Sequence, residues 1–262
     1  MKVETVKTKA FTMDYCVFGQ GREALVILPG LSVQSVMGAG AAIEEAYKLL
    51  ADDFTVYLFD RRNELPPTYT IQDMAEDTAA AIRALGLGPV CLFGASQGGM
   101  IAMELAAAYP ALVRRLVLGS TTACVGPEQR NLFSHWVGLA MEGKREELYL
   151  AFGEAVYPQP VLAEARNTLC EMAKTVTDDE LRRFTILADS LGNFDALEKL
   201  KKITCPVLVI GSKDDRVVGG EASVQIARHI KSCALYMYEG FGHAVYDLAP
   251  DYKQRLLQFL KE

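Results

Sequence analysis

Short unbroken apolar runs, each stopped by a turn signal and separated by stretches with helical spacing, constrain the fold of this chain most strongly. Leu25-Val26-Ile27-Leu28 ends in Pro29-Gly30, and Phe54-Thr55-Val56-Tyr57-Leu58-Phe59 runs into Asp60. Runs of this kind predict strands buried on both faces, as in a parallel sheet, because a strand with one wet face would alternate. Between them, Ala41 to Leu50 favours helix. After them, Ile71, Met74, Ala75, Thr78, Ala79, Ile82 and Leu85 recur at helical spacing, with Thr70 and Asp73 as a start signal and Gly86 and Gly88 past the end. The alternation continues with a strand over 89–93, a helix to Ala108 and a strand over 112–118. It resumes with a strand over 207–210, a helix over 221–230, a strand over 234–238 and a helix over 247–260. Residues 3–18 read as an antiparallel start. The order predicts a doubly wound α/β sheet with helices on both faces.

Residues 124–200 break this rhythm. Helical stretches near 129–141, 144–156, 160–174 and 178–191 follow one another with no convincing strand. The expected organisation is therefore a sheet-bearing core made of 1–123 and 201–262, with 124–200 inserted as a helical cap. A chain of 262 residues with 50% hydrophobic residues can bury a large core. Its net charge of −6 is spread out, without the clustered Lys and Arg that phosphate binding demands, so no nucleic-acid partner is expected. The first nine residues lack the apolar stretch of a secretory signal, and no run approaches a membrane span, so a cytoplasmic protein without a membrane partner is expected. The six cysteines are scattered and lack paired metal-ligand spacing. They read as reduced and mostly buried.

Chemistry points to one place. In Gly94-Ala95-Ser96-Gln97-Gly98 a serine stands between glycines, directly after the apolar run Val90-Cys91-Leu92-Phe93 and before a run of helix formers, Met100 to Ala108. A strand-to-helix turn that pushes one hydroxyl outward forces unfavourable backbone angles on the serine, so its neighbours must lack bulk. The bland reading is that Ser96 merely caps the helix that follows. A nucleophilic serine also needs a base, and the base needs a carboxylate. Of three histidines, His229 falls in a helical stretch and His135 in the insertion. His243, in Gly240-Phe241-Gly242-His243-Ala244, follows the last strand in a loop that glycines allow to turn back. The acid is one of Asp214 and Asp215, in the loop after Val207-Leu208-Val209-Ile210. Each of the three falls at the carboxyl end of a strand, where open sheets put their sites.

Gly94-Ala95-Ser96-Gln97-Gly98-Gly99-Met100, Leu28-Pro29-Gly30, Asp214-Asp215-Arg216-Val217-Val218 and Gly240-Phe241-Gly242-His243 together resemble the α/β-hydrolase family over essentially the whole chain. The resemblance implies a mostly parallel eight-stranded sheet with an inserted cap, and a Ser96–His243–aspartate triad. The run Asp215-Arg216-Val217-Val218 favours Asp215 as the acid, whereas counting three residues from Gly211 favours Asp214; Asp215 is taken. It also implies an oxyanion hole from the backbone N–H groups of Gln97 and Leu31. Two departures stand out: Leu28-Pro29-Gly30 occurs where many members carry His-Gly, and Gly219 where proline is common.

The expected activity is that of a carboxylesterase-like serine hydrolase acting on small, partly apolar ester-like substrates through an acyl-enzyme. Alternatives are an enol-lactone or carbon–carbon bond hydrolase, an acyltransferase, and, in another class, a non-catalytic ligand-binding member of the fold. No cofactor and no metal are expected, since neither a dinucleotide glycine fingerprint nor His-x-x-Glu-His spacing occurs. A small-molecule substrate is the expected partner, and a homo-oligomer is compatible with the sequence. Asp60-Arg61-Arg62 reads either as a substrate-attracting charge or, by preference, as an ion pair bracing its loop. Phe133, Trp136 and Met141 read as an acyl pocket or, more often at such spacing, as plain core.

Overall fold

The computed structural model describes residues 2–262. Eight strands form one sheet in the order β1-β2-β4-β3-β5-β6-β7-β8. They are β1 (Val3–Lys7), β2 (Thr12–Phe18), β3 (Glu23–Leu28), β4 (Phe54–Arg62), β5 (Val90–Ala95), β6 (Val113–Gly119), β7 (Val207–Ser212) and β8 (Cys233–Tyr238). β1 and β2 pair antiparallel, β2 pairs antiparallel with β4, and all further pairs are parallel. The interior strands β5 and β7 are buried along their whole length. This is why they read as unbroken apolar runs without alternation.

Helices α1 (Gly40–Tyr47), α2 (Ile71–Ala84), α3 (Gln97–Ala108), α8 (Ala222–His229), α9 (Val245–Leu248) and α10 (Tyr252–Lys261) accompany the sheet. Two hydrophobic clusters follow. One holds Val26, Leu92, Ile101 and Leu116, and the other holds Leu25, Phe93, Val117 and Tyr252. Neighbouring residues of one strand thus feed opposite faces, as the pleat requires. Thr70 caps α2 with a reciprocal bond pair to Asp73.

Four helices, α4 (Pro127–Met141), α5 (Arg145–Val156), α6 (Gln159–Thr175) and α7 (Asp178–Asp189), lie in the chain between β6 and β7. Their interior is aromatic: Trp136 lies 5.6 Å from Phe133 and 4.7 Å from Phe152, whose ring meets Phe184 edge-on at 6.4 Å.

Three expectations need correction. The helix read over 247–260 is two helices, because Pro250 lacks an N–H and disfavours helix in Ala249, which is extended (φ −73°, ψ 124°). Met141 is 75% exposed, so it belongs neither to a core nor to a pocket. All six cysteines are free thiols, but only Cys16 and Cys91 are buried. Among the described residues no helix is long and apolar enough to cross a membrane.

Candidate active site

The glycines around Ser96 earn their positions by contact. A Cβ built on Gly98 would stand 2.0 Å from the Leu28 carbonyl oxygen, and one on Gly94 would stand 2.3 Å from the Gly98 oxygen. α3 therefore starts hard against β3 and β5, and only glycine fits both places. Ser96 itself sits at φ 52°, ψ −121°, a conformation L-residues rarely adopt. Its backbone is held by bonds that neighbouring β6 completes: the Ser96 N–H donates to the Gly119 carbonyl at 2.9 Å, and the Thr121 hydroxyl donates to the Ser96 carbonyl at 2.7 Å.

Ser96 makes no side-chain capping bond to α3. Its Oγ instead lies 2.9 Å from His243 Nε2, and His243 Nδ1 lies 2.8 Å from Asp215 Oδ2. His243 and Asp215 are 2% and 6% exposed, while Ser96 stays partly open. The other Asp215 oxygen, Oδ1, accepts from the Val217 and Val218 N–H groups at 2.8 and 3.0 Å. Those two donors lock the carboxylate in one orientation, so a Nδ1–H of His243 is the partner it can serve.

Asp214 turns the other way. Its oxygens accept from the Ser212 hydroxyl at 2.6 Å and from the N–H groups of Gly240 and Gly242 at 2.9 and 3.0 Å. Burial works to raise its pKa, but these bonds outweigh it and hold the carboxyl below the usual carboxylate range. Asp214 thus pins the loop carrying His243, and Asp215 reaches the ring. Gly242, at φ 60°, lets that loop pass beneath Val156 and Pro158 of the inserted segment. The Tyr246 ring meets the His243 ring edge-on at 6.2 Å, and burial first, with Asp247 adding, holds its hydroxyl protonated well above the ordinary phenol value. Gly219 has φ +89°, which proline, locked near −65°, cannot adopt.

Neither the Leu31 N–H nor the Gln97 N–H has an acceptor among the described residues. Gln97 opens α3, where helix geometry leaves the N–H free and the dipole favours negative charge. The Pro29-Gly30 turn brings Leu31 to the same end of the sheet: a Cβ on Gly30 would lie 3.2 Å from Ser96 Cβ. Free N–H groups at a helix start and in a turn at the same end of the sheet are the kind of donor that stabilises a tetrahedral oxyanion.

The remaining sequence candidates lie elsewhere. His135 is exposed on α4, and His229 is exposed on α8, its Nδ1 2.8 Å from the Gln225 carbonyl. Trp136 and Phe133 are buried inside the inserted helices. Asp60 does form the bracing ion pair, but its partner is Arg183 of α7 at 3.0 Å, 123 residues away and invisible to a local reading. Arg61 takes no part in that pair. Its Nη2 instead donates to the Pro29 carbonyl at 2.7 Å and to Gln97 Oε1 at 3.0 Å. Further stitches tie the inserted helices to the strand ends: Gln97 Nε2 to the Leu187 carbonyl at 2.7 Å, Tyr149 OH to Gln34 Oε1 at 3.0 Å, and Gln34 Nε2 to Glu180 at 3.2 Å.

Sequence comparison matches residues 25–252 to the model of the alpha/beta hydrolase family. RutD of Agrobacterium fabrum, whose name assigns it provisionally to carbamate hydrolysis, is 28% identical over 246 residues, covering 86% of this chain and 92% of its own. Among solved structures, MGS-M2, an alpha/beta hydrolase enzyme from a deep-sea metagenome library of the Medee basin, superposes with a TM-score of 0.89 at 20% identity, covering 99% of this chain and 98% of that one. The enol-lactonase from Burkholderia xenovorans gives 0.85 at 17% identity, covering 99% and 100%.

Proposed function

This chain belongs to the alpha/beta hydrolase family, and from that premise we propose that it is a serine hydrolase working through Ser96, His243 and Asp215 on small, partly apolar ester-like substrates. The observation that carries the reading is the continuous relay of 2.9 and 2.8 Å from a strained, partly open serine through a buried imidazole to a buried carboxylate. Ser96 Oγ attacks the substrate carbonyl while His243 Nε2 takes its proton, and Asp215 stabilises the imidazolium. The N–H groups of Leu31 and Gln97 receive the oxyanion. On collapse, Nε2 returns the proton to the leaving oxygen, and water attacks the acyl-enzyme by the same route to release acid and regenerate Ser96. The inserted helices, tied to Gln34, to Asp60 near the end of β4 and to Gln97 at the start of α3, act as a cap over this end of the sheet.

A fluorophosphonate probe is expected to label Ser96, and Ser96→Ala to lose hydrolysis of short activated esters by roughly 10⁴-fold or more. Labelling at another serine, or unchanged turnover of the variant, would remove the reading. The likeness to RutD supports a second reading within the same chemistry, a carbamate in place of the ester. A matched pair of aryl ester and aryl carbamate separates the two. Preferred turnover of the carbamate would select the second, and slow progressive inactivation by it would select the first.

A further inference from the structure

We infer that Arg61 is a positioning residue that holds the two halves of the oxyanion site in register. The inference rests on the serine-hydrolase reading above. Arg61, the next-to-last residue of β4, is only 4% exposed. Burial, opposed in part by Asp60, pulls its pKa down to about 10, still far enough above neutrality to keep the charge. Asp60 does not neutralise it by contact: that carboxylate is engaged by the Ser35 hydroxyl at 2.5 Å, the Arg61 backbone N–H at 2.7 Å and Arg183 at 3.0 Å. Nor does the guanidinium form an ion pair with any other described residue, and its Nε is buried without a partner. A buried charge left in this state costs stability.

What Arg61 does contact explains its presence better than stability does. Nη2 donates to the Pro29 carbonyl at 2.7 Å, fixing the peptide plane just before the Gly30–Leu31 unit that presents one oxyanion N–H. The same nitrogen donates to Gln97 Oε1 at 3.0 Å, and Gln97 presents the other N–H. Gln97 is fully buried, and its Nε2 continues to the Leu187 carbonyl at 2.7 Å and the Ser190 hydroxyl at 3.3 Å at the end of α7. One cation therefore spans the turn after β3, the first residue of α3 and, through Gln97, the inserted helices. A fixed donor pair is what electrostatic stabilisation of a tetrahedral oxyanion requires, since donors that must reorient give back what they gain.

The test measures p-nitrophenyl butyrate hydrolysis and inhibition by a trifluoromethyl ketone, whose hemiketal mimics the oxyanion, for wild type, Ser96→Ala, Arg61→Met, Arg61→Lys, Gln97→Leu and Arg61→Met/Gln97→Leu. Arg61→Met is expected to lower kcat roughly 100-fold, with KM changed by no more than about threefold, and to weaken the ketone by about the same factor as kcat. Arg61→Lys, with charge but no fork, falls between Arg61→Met and wild type. The double variant loses no more than the worse single, because both changes cut one strut. Should Arg61→Met fail to fold, Arg61→Lys and Gln97→Leu carry the same comparison. An Arg61 variant with wild-type kcat, a loss confined to KM, or additive losses overturns the inference while an inactive Ser96→Ala leaves the serine reading standing. A fully active Ser96→Ala overturns both.

Discussion

Replacing Asp215 by asparagine tests the relay at its buried end. The amide has one oxygen and one NH₂ to fit where the carboxylate has two acceptors. Oδ1 faces two donors, the N–H groups of Val217 and Val218 at 2.8 and 3.0 Å, so the amide oxygen must stay there. The NH₂ then points at His243 Nδ1, 2.8 Å away in the native chain. It can only donate, which makes Nδ1 the acceptor and puts the imidazole proton on Nε2. That nitrogen then donates to Ser96 Oγ and cannot take its proton. The geometry survives with the wrong tautomer, and the expected loss in kcat is about 10⁴-fold, equivalent to roughly 5 kcal/mol of transition-state stabilisation. Asp214→Asn leaves Ser96, His243 and Asp215 in place: its amide oxygen can still accept from Ser212 and Gly240, while its NH₂ loses the pin on Gly242, for an expected loss below about tenfold. Initial rates on an activated ester near pH 7.5, with the thermal midpoint of each variant as a control, decide the matter. An Asp215→Asn enzyme within tenfold of wild type, or an Asp214→Asn enzyme equally damaged, would refute the assignment of the acid.

Ser96→Gly removes the hydroxyl together with the strain of φ 52°, so turnover is expected to vanish while urea denaturation reports a stability gain of about 1 kcal/mol. An unchanged or lower midpoint would argue against stored strain. Gly98→Ala puts a methyl 2.0 Å from a backbone oxygen and is expected to cost at least about 3 kcal/mol and most of the activity, because neither backbone can yield; a native-like melt would count against this packing. Asp214 has a folded pKa below its unfolded value near 3.9, so its contribution to stability is present above that pH and is lost as pH falls through the lower folded value. The stability gap between wild type and Asp214→Asn is therefore expected to hold from pH 7 to about 5 and to narrow below about 4; a gap unchanged at pH 3 would contradict the sign.

Much of the fold was legible because burial on both faces leaves a direct trace in the chain. Leu25 to Leu28, Val90 to Phe93 and Val207 to Ile210 read as interior strands, and each ends where a loop carries a candidate group. The helical runs between β6 and β7 were legible for the same reason, through apolar spacing. Errors arose where one residue overrode a periodic pattern, as Pro250 does between α9 and α10, or where periodicity carried no information on depth, as at Met141 and four of the cysteines.

Local chemistry along the chain placed Ser96 on a glycine-framed turn, His243 in a loop that glycines let turn back, and two adjacent aspartates after a buried strand. These follow from steric rules acting over a few residues. Tertiary structure alone decided which of Asp214 and Asp215 meets the His243 ring, because identical side chains one residue apart point in opposite directions only once the turn after β7 has aimed the Val217 and Val218 N–H groups at one of them. It also decided that Arg61 would bond to Pro29 and Gln97, and Asp60 to Arg183. Such partners lie 32 to 123 residues apart, and no short-range pattern encodes a hydrogen bond between segments that meet only after the sheet has formed.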